Sequence, residues 1–233
     1  MRATVVIPTY NEVANIAKLI ERILGVAPNM NILVVDDNSP DATGTVVSRI
    51  AQINTNVNLL SRDKKEGLGP AYVAGFKKVT SDDKFTHIVM MDADFSHNPS
   101  ALPAMLEKAK YHDVVVGSRY VRGGATEGWE FWRRILSWGG NLYARTITGL
   151  PVHDCTGGFN VINVKKLRQI DFDRMDASGY AFILELKFML AKAGATFVEV
   201  PILFRNRTGG ESKMSSHIIR EGILAPWKMR FLN

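Results

Sequence analysis

Two aspartates, Asp92 and Asp94, stand one residue apart directly after a short apolar run that is typical of a buried strand. At this spacing each carboxylate can present an oxygen to a hard cation, and neither has a basic neighbour in the sequence to pair with. Mg²⁺ and Mn²⁺ take one or two carboxylates and complete their coordination with substrate phosphates. The pair therefore indicates a magnesium or manganese site that acts on a phosphorylated substrate.

Polar residues also follow three other predicted strands. These are the segments Pro8–Glu12, Asp36–Asp41 and Gly117–Arg119. An acidic residue at a strand end commonly does no more than cap the next helix. However, ligands of open parallel sheets collect at the carboxyl ends of the strands. Because four such ends carry polar residues, the sequence predicts one site along this edge.

The first half of the chain alternates apolar, β-branched runs with stretches of helical periodicity. The runs that predict strands are Ala3–Pro8, Asn31–Asp36, Val57–Ser61, His87–Asp92 and Asp113–Ser118. The stretches that predict helices are Asn11–Leu24, Asp41–Ile53, Pro70–Val79 and Pro99–Tyr111. Repeated strand–helix crossover predicts an α/β fold, with a mostly parallel, Rossmann-like sheet and helices on both faces.

The second half has a different rhythm. It predicts helices over Trp129–Thr148 and Tyr180–Ala193, and a strand over Phe197–Phe204. Arg205–Ser216 is typical of a mobile loop, and His217–Leu232 of an amphipathic segment interrupted by Pro226. We expect a main domain over residues 1–204, with 205–233 as a basic loop and C-terminal helix of that same domain.

Composition excludes several classes of protein. The 233 residues are 46% hydrophobic, with 19 Gly and 9 Pro, which is ordinary for a globular protein and excludes collagen-like and disordered chains. The apolar runs are far shorter than the roughly 20 residues of a membrane span, and no secretory leader pattern is present. A single cysteine, Cys155, permits no internal disulfide. We therefore expect a cytoplasmic protein.

Other chemistries are weaker interpretations of the same residues. A phosphoacceptor domain also carries acidic strand ends, but it has only about 120–130 residues and would leave the basic second half unexplained. Gly67-Leu68-Gly69 lacks the third glycine of a dinucleotide loop. Cys155 is more typical of buried packing than of a nucleophile, and the five histidines lack zinc-ligand spacing. The net charge of +6 favours an anionic partner, but no nucleic-acid-binding module is recognisable, so we expect none.

Six strings of residues together resemble a known family. They are Val6–Glu12, Val34–Asp41, Gly67–Gly69, Met91–His97, Gly117–Arg119 and Gly210–Lys213. In this order, and across nearly the whole chain, they are similar to the inverting GT-A glycosyltransferases of family 2. More narrowly, they resemble the dolichol-phosphate (polyprenol-phosphate) mannose synthases.

The resemblance implies a reaction in which mannose passes from GDP-mannose to the phosphate of dolichol or polyprenol. Charge separates as the anomeric carbon leaves the diphosphate, so we expect cations around the leaving group. The acceptor phosphate has a second pKa near 6 and arrives largely ionised, so no general base is required. The rival donor is UDP-glucose or another nucleotide sugar, and a more distant rival is a non-catalytic nucleotide-sugar-binding protein.

The resemblance also implies roles for individual residues. Asp94 would hold the metal together with Asp92, and Ser96 stands where some relatives carry a further ligand. The donor pocket would be lined by Pro8, Tyr10, Glu12, Val35, Asp37, Asp92 and Ala93. Arg207 and Lys213 would clamp the donor diphosphate. Arg119, Arg134 and Ser137 would hold the acceptor phosphate, with Arg133 as the alternative to Arg134.

A lipid acceptor implies contact with a membrane. Aromatic and aliphatic residues alternate with arginines and lysines in two segments, which is typical of helices that lie in the membrane interface. The apolar positions are Trp129, Phe131, Trp132, Ile135, Leu136 and Trp138, and then Ile218, Ile219, Ile223, Leu224, Trp227 and Phe231. Packing on the core is the alternative interpretation. We expect peripheral attachment to the cytosolic face of a membrane, with a membrane-anchoring protein as a further partner.

Overall fold

A computed structural model of the chain describes residues 1–175, 181–206 and 216–232. Its main sheet has seven strands in the order β3-β2-β1-β4-β7-β5-β8, and β6 and β9 form a separate pair. The strands are β1 (Ala3–Thr9), β2 (Asn31–Asp36), β3 (Val57–Ser61), β4 (His87–Met90), β5 (Val114–Ser118), β6 (Ala125–Glu127), β7 (Asn160–Asn163), β8 (Phe197–Pro201) and β9 (Leu203–Arg205). All neighbours in the main sheet are parallel except β7, which runs antiparallel to β4 and β5.

Eight helices surround the sheet in the described part of the chain. They are α1 (Ile16–Val26), α2 (Thr43–Ile53), α3 (Leu68–Thr80), α4 (Leu102–Lys108), α5 (Phe131–Thr148), α6 (Val164–Leu167), α7 (Ala181–Lys192) and α8 (Ser216–Leu232). Single 3₁₀ turns lie at Pro99–Ala101 and Phe172–Arg174.

The sheet has one hydrophobic core on each face. One core contains the apolar side of α1 and residues of α4, such as Leu102. The other contains α3 and α7, where the ring of Phe182 stacks on those of Tyr72 and Phe76. At Gly75 a Cβ would lie 2.5 Å from Val6 Cγ1, so only glycine lets α3 pack this closely on β1. The prediction of a mostly parallel sheet with helices on both faces is confirmed.

Several predicted boundaries were wrong, and three of them have clear local reasons. The first helix begins at Ile16 rather than Asn11, because Asn11 has a φ of 62° and the carbonyl of Glu12 accepts from both Asn15 and Ile16 in a turn. The strand expected over Phe197–Phe204 breaks after Pro201 into β8 and β9. The C-terminal helix continues through Pro226, since loss of one backbone hydrogen bond need not end a helix that packs on α5 and α7.

Two strands and one pairing were not predicted. β7 is only four residues long, follows the turn of residues 154–159 and enters the sheet between β4 and β5. β6 pairs in parallel with β9, with Ala125 opposite Leu203 and Glu127 opposite Arg205. This small ribbon places the beginning of α5 beside residues 203–206.

Candidate active site

The ends of β1 and β2 lie side by side, with Thr9 opposite Asp36. The Asp36 carboxylate accepts from Thr9 Oγ1 at 2.9 Å and from the Ser39 backbone N–H at 3.0 Å, so it fixes the turn after β2. Asp37 accepts from Arg62 Nη1 at 2.7 Å, and Asp37 is 4% exposed. Arg62 thus orients Asp37, a role that nothing in the sequence pattern predicted.

Tyr10 and Glu12 extend this corner. Lys65 Nζ lies 3.9 Å from the centroid of the Tyr10 ring, which places a cation beside the predicted nucleotide pocket. Glu12 Oε2 accepts from Asn15 Nδ2 at 2.8 Å, and its backbone N–H donates to Thr43 Oγ1 at 2.9 Å. The structure therefore brings Tyr10, Glu12 and Asp37 to one edge of the sheet.

Three predicted pocket residues lie differently. Val35 and Ala93 point into a core and are buried, so any contact with a nucleotide would come from their backbone atoms. Pro8 is half-buried and lies opposite Val35 in the parallel register. The roles of all three residues stay predictions.

Asp92 is held by two buried aromatic residues. Tyr72 donates its hydroxyl to Asp92 Oδ1 at 3.2 Å. Burial raises the pKa of Tyr72 well above its ordinary value, and the Asp92 carboxylate raises it further, so the phenol stays a donor. His97 Nδ1 accepts the Asp92 backbone N–H at 3.1 Å. The proton of the neutral ring therefore lies on Nε2, which is 3.9 Å from Asp92 Oδ2.

Asp94 lies in a tight turn. Its Oδ1 accepts from the Ser96 backbone N–H at 3.0 Å, and Phe95 between them has a left-handed φ of 61°. The Ser96 hydroxyl is buried, without a hydrogen-bond partner among the described residues. Its role as a further ligand stays a prediction. Left-handed φ values recur at Asn11 and Asn38, just after β1 and β2.

The donor set at this strand end suits a hard divalent cation. Asp92 and Asp94 are both half-buried, and they offer carboxylate oxygens, which Mg²⁺ and Mn²⁺ prefer. Within the described residues, no group of three His, Cys, Asp or Glu side chains comes together to form a complete metal cage. An ion here would complete its coordination with substrate phosphates and water.

A turn over residues 154–159 contacts both Asp92 and Arg119. A Cβ at Gly158 would lie 3.4 Å from His97 Cε1 and 3.8 Å from Asp92 Oδ2, so this glycine lies against His97 and Asp92. At Gly157 a Cβ would lie 2.9 Å from Asp154 Oδ1, and the Gly157 N–H donates to that oxygen at 2.8 Å. The turn thus requires glycine at position 157, where the backbone closes on a carboxylate.

Arg119, the predicted acceptor-phosphate ligand, is fixed by Asp154. Its Nε and Nη2 donate to the two oxygens of the carboxylate at 2.8 and 2.7 Å, and its backbone N–H donates to Oδ2 at 3.0 Å. Nη2 also donates to Thr156 Oγ1 at 3.0 Å. Burial by itself would raise the pKa of Asp154, but the Arg119 guanidinium and Lys187 hold it below its ordinary value. The carboxylate is therefore ionised, and Arg119 is oriented before any ligand arrives.

Rings connect the aspartate side of the site with the arginine side. His97 stacks on Phe159 and meets Phe204 edge-on, with centroids 5.7 Å apart. Phe204 in turn meets Trp129 edge-on at 5.5 Å. The Arg119 guanidinium carbon lies 5.3 Å from the Phe204 centroid. Both halves of the site therefore contact the Phe204 ring on β9.

The structure also separates the two neighbouring arginines of α5. The Arg133 guanidinium carbon lies 4.4 Å from the centroid of the buried Trp129 ring, whose other contacts include Arg119. Arg134 is exposed. Ser137 shares the helix face of Arg133 and accepts from the Tyr120 hydroxyl at 2.7 Å. Of the two arginines, Arg133 is the one that contacts the Trp129 ring, which Arg119 also contacts.

The remaining predicted donor ligands, Arg207 and Lys213, lie outside the described residues.

Two ionisable residues are buried on α7. Lys187 is 1% exposed, and its Nζ donates to the backbone carbonyls of Asp154 and Gly157 at 2.8 and 2.9 Å. Burial lowers the pKa of Lys187 to about 8, although the Asp154 charge opposes this. Glu185 is also buried. The only sequence signal for either residue was a charge in an otherwise apolar helix.

Cys155 is fully buried, and burial raises the pKa of its thiol to about 11. A thiol this weakly acidic is a poor nucleophile. The prediction that Cys155 packs in the core is confirmed.

α5 and α8 share an exposed apolar face. Tyr143 joins the helices by donating to the Ile223 carbonyl at 2.8 Å and accepting from Trp227 Nε1 at 2.8 Å. We call the large exposed side chains on this face the apolar face: Phe131, Trp132, Ile135, Leu136, Trp138, Leu142, Ile223, Leu224, Trp227 and Phe231. Trp129 was expected to belong here, but it is buried and precedes the first residue of α5. In the described part of the chain, no helix is long and apolar enough to span a membrane.

The sequence matches a family model. Residues 4–171 fit the family described as "Glycosyl transferase family 2", which is more than half of the chain. The matched segment contains the acidic pair, Arg119 and the 154–159 turn.

Three characterised relatives are similar over most of this chain. An undecaprenyl-phosphate mannosyltransferase of Micrococcus luteus is 41% identical over 96% of this chain and 92% of the relative. A polyprenol monophosphomannose synthase of Mycolicibacterium smegmatis is 39% identical over 98% of this chain and 88% of the relative. A dolichol-phosphate mannosyltransferase of Pyrococcus furiosus is 33% identical over 95% of this chain, which spans 61% of that relative.

Solved structures share the fold at low identity. A mannosyltransferase of Pyrobaculum calidifontis, solved in complex with GDP-Man and Mn²⁺, has a TM-score of 0.61 at 17% identity and covers 99% of this chain and 63% of its own. A glucosyl-3-phosphoglycerate synthase of Mycobacterium tuberculosis, solved with Mn²⁺, UDP and phosphoglyceric acid, has a TM-score of 0.69 at 17% identity. It covers 98% of this chain and 78% of its own. The predicted GT-A architecture is confirmed.

Proposed function

The chain belongs to glycosyl transferase family 2, and we propose that it transfers mannose from GDP-mannose to the phosphate of a polyprenol or dolichol. One observation carries the proposal. The carboxylate of Asp92 lies beside Gly158, the guanidinium of Arg119 pairs with Asp154 of the same turn, and the rings of His97 and Phe204 connect the two groups. This arrangement suits a metal-bound diphosphate on one side and a second phosphate on the other. The names of the relatives, all of them mannosyltransferases or mannose synthases, supply the sugar and the lipid phosphate.

The aspartate side would take the donor. Asp94, with Asp92, would hold Mg²⁺ or Mn²⁺, and the bound ion supplies positive charge to the departing diphosphate. The Mn²⁺ in the GDP-Man complex of the Pyrobaculum mannosyltransferase supports this assignment. Tyr72 and His97 hold Asp92 in one orientation, so little reorganisation is needed when the donor binds. Arg207 and Lys213 would add further charge to the same leaving group.

The arginine side would take the acceptor. An oxygen of the ionised lipid phosphate attacks the anomeric carbon from the face opposite the diphosphate. The bond from that carbon to the diphosphate oxygen breaks, and GDP leaves. Inversion follows from this geometry, and no proton has to be removed at pH 7. Arg119 and Ser137 would position the phosphate, and the contacts of Arg133 with Trp129 favour it over Arg134 as the second cation.

The apolar face would bring the site to its lipid. Exposed tryptophans on α5 and α8, with Arg134, Lys228 and Arg230 on the same two helices, suit the interface of an anionic bilayer. α5 also carries Ser137 and Arg133, so insertion of its apolar side would place the acceptor site near the lipid headgroups. The proposal is peripheral attachment by this face.

A transfer assay tests the function. Purified protein is incubated with labelled GDP-mannose or UDP-glucose, a polyprenyl phosphate in detergent, and Mg²⁺ or Mn²⁺ or EDTA. We expect label in the lipid phase from GDP-mannose only, and only with metal. Transfer from UDP-glucose alone would replace the donor, and label in EDTA would contradict the metal assignment.

A pair of variants makes the assay specific to the site. Asp94→Asn removes one charge of the predicted metal site at nearly constant shape, and we expect transfer to fall by at least 100-fold. Asp82→Asn, on the exposed turn after α3, is the matched control and keeps wild-type turnover. Equal activity of the two variants would contradict the proposed role of Asp94.

A further inference from the structure

The Asp154 to Gly157 turn is held from both sides by buried charges. On one side the Asp154 carboxylate accepts from Arg119 and from the Gly157 N–H. On the other side Lys187 Nζ donates to the carbonyls of Asp154 and Gly157, at 2.8 and 2.9 Å. Lys187 therefore bridges two residues of the turn that carries the partner of Arg119.

Burial makes this bridge unusual. The Arg119 side chain is 8% exposed, that of Asp154 is 0% exposed, and Lys187 is 1% exposed. A lysine is almost never buried so completely unless its ammonium is paired, because taking a charge out of water costs several kcal/mol. Here the Lys187 ammonium is paired with two backbone carbonyls of the turn, which compensates part of that cost. The buried charge therefore fixes the position of the turn that carries the partner of Arg119.

We infer that Lys187 is a positioning residue for the acceptor phosphate, acting through the turn on Asp154 and through Asp154 on Arg119. The inference rests on the proposed function, because it takes Arg119 as a phosphate ligand. Lys187 fixes where the Asp154 backbone lies, and the bidentate pair then fixes the plane of the Arg119 guanidinium. Outer partners of this kind commonly change affinity by about 10- to 100-fold when they are removed from the metal sites where they are best studied.

The first test separates acceptor from donor. Lys187→Met keeps most of the length of the side chain and removes its donors, and Lys192→Met on the exposed end of the same helix is the matched control. We expect Lys187→Met to raise the KM for polyprenyl phosphate on the order of tenfold. The dissociation constant of GDP, measured by calorimetry with Mn²⁺, should stay within about twofold of wild type. Equal changes for donor and acceptor, or none for either, would overturn the inference.

A second measurement does not depend on transfer. In a bidentate buried pair the Arg119 Nε–H should exchange slowly with solvent, and its NMR signal can be assigned by its loss in Arg119→Lys. We expect the signal to be protected in wild type and in Lys192→Met, and to exchange at least tenfold faster in Lys187→Met. If Lys187→Met loses protection of the Arg119 Nε–H while the wild type shows no transfer, the result contradicts the proposed function alone. Unchanged protection with normal wild-type transfer would contradict the positioning role alone.

Loss of the lysine leaves two buried carbonyls without their donor, so Lys187→Met could fail to fold. Lys187→Gln keeps an N–H donor without the charge, and we expect it to show intermediate values of both the acceptor KM and the Arg119 exchange rate. The variants are compared only after circular dichroism shows wild-type folding. A folded Lys187→Gln protein that behaves as Lys192→Met does in both measurements would also refute the role.

Discussion

Replacement of Lys187 by methionine should change how the stability of the protein depends on pH. The groups that face the Lys187 ammonium are Asp154, Cys155, Arg119 and Glu199. Burial lowers the pKa of Lys187 from 10.5 to about 8, against the attraction of Asp154. Between those two values the unfolded chain binds the proton and the folded chain does not. Stability therefore rises with pH across this window, and the destabilising contribution is complete below pH 8.

The size of the effect follows from the two pKa values. A shift of this size corresponds to about 3 kcal/mol when the whole window is crossed. Between pH 7 and pH 9 the wild type should gain about 1 kcal/mol relative to Lys187→Met. For a chain of this length that difference moves the melting temperature by roughly 2–4 °C. The high pKa of the Cys155 thiol, about 11, also contributes to the pH dependence, but it largely cancels because both proteins carry the cysteine.

Urea unfolding at a series of pH values measures the difference directly. The free energy of unfolding of wild type, Lys187→Met and the exposed control Lys192→Met would be compared at pH 7, 8 and 9. The control should follow the wild-type slope, because Lys192 is exposed and lies at the far end of the same helix. Parallel curves for wild type and Lys187→Met would refute the view that a buried, charged Lys187 stays beneath the turn at neutral pH.

Three further outcomes follow from particular contacts. Gly124→Ala should lower the free energy of unfolding in urea by about 2 kcal/mol and should lower transfer, because its Cβ would lie 2.6 Å from the Ser118 carbonyl oxygen and 2.8 Å from the Arg119 backbone carbon. Wild-type stability and transfer in this variant would contradict so close an approach. Arg133→Ala should raise the acceptor KM more than Arg134→Ala does, and the reverse order in a lipid-titration assay would favour the exposed arginine. Trp138→Ser should weaken flotation with anionic liposomes by at least threefold without changing GDP binding, whereas unchanged flotation would argue against the apolar face as the membrane contact.

The parallel strands could be predicted from the sequence because each is specified by a short local pattern. β1, β2 and β3 are apolar runs bounded by turns, and the ends of β2 and β3 were predicted to the residue. β7 carries only four residues, and its antiparallel course depends on two distant strands between which it lies. No pattern within four residues specifies a neighbour 70 residues away, so this strand and the β6–β9 ribbon appear only in the fold.

The site divides in the same way. Asp92, Asp94 and Arg119 stand at strand ends, where spacing and residue type predict chemistry. The residues that hold them in place could not be predicted in this way. Tyr72 donates to Asp92 from a helix 20 residues earlier, and Lys187 acts on Arg119 only through the backbone of the Asp154 turn. A lone lysine in an apolar helix shows that a charge will be buried, but it does not show which carbonyls will receive it.

The residues with a left-handed backbone conformation after the strands limit how the protein can be engineered for thermostability. Phe95 holds an unfavourable backbone conformation between Asp94 and Ser96, at a cost on the order of 1 kcal/mol, and Asn11 and Asn38 hold milder versions. Phe95→Gly would relieve that strain, but it would also increase the conformational freedom of the Asp94 carboxylate when no nucleotide sugar is bound. A search for thermostable variants should therefore leave this edge of the sheet untouched and work at the opposite, amino-terminal edge, where stability can rise without loss of turnover.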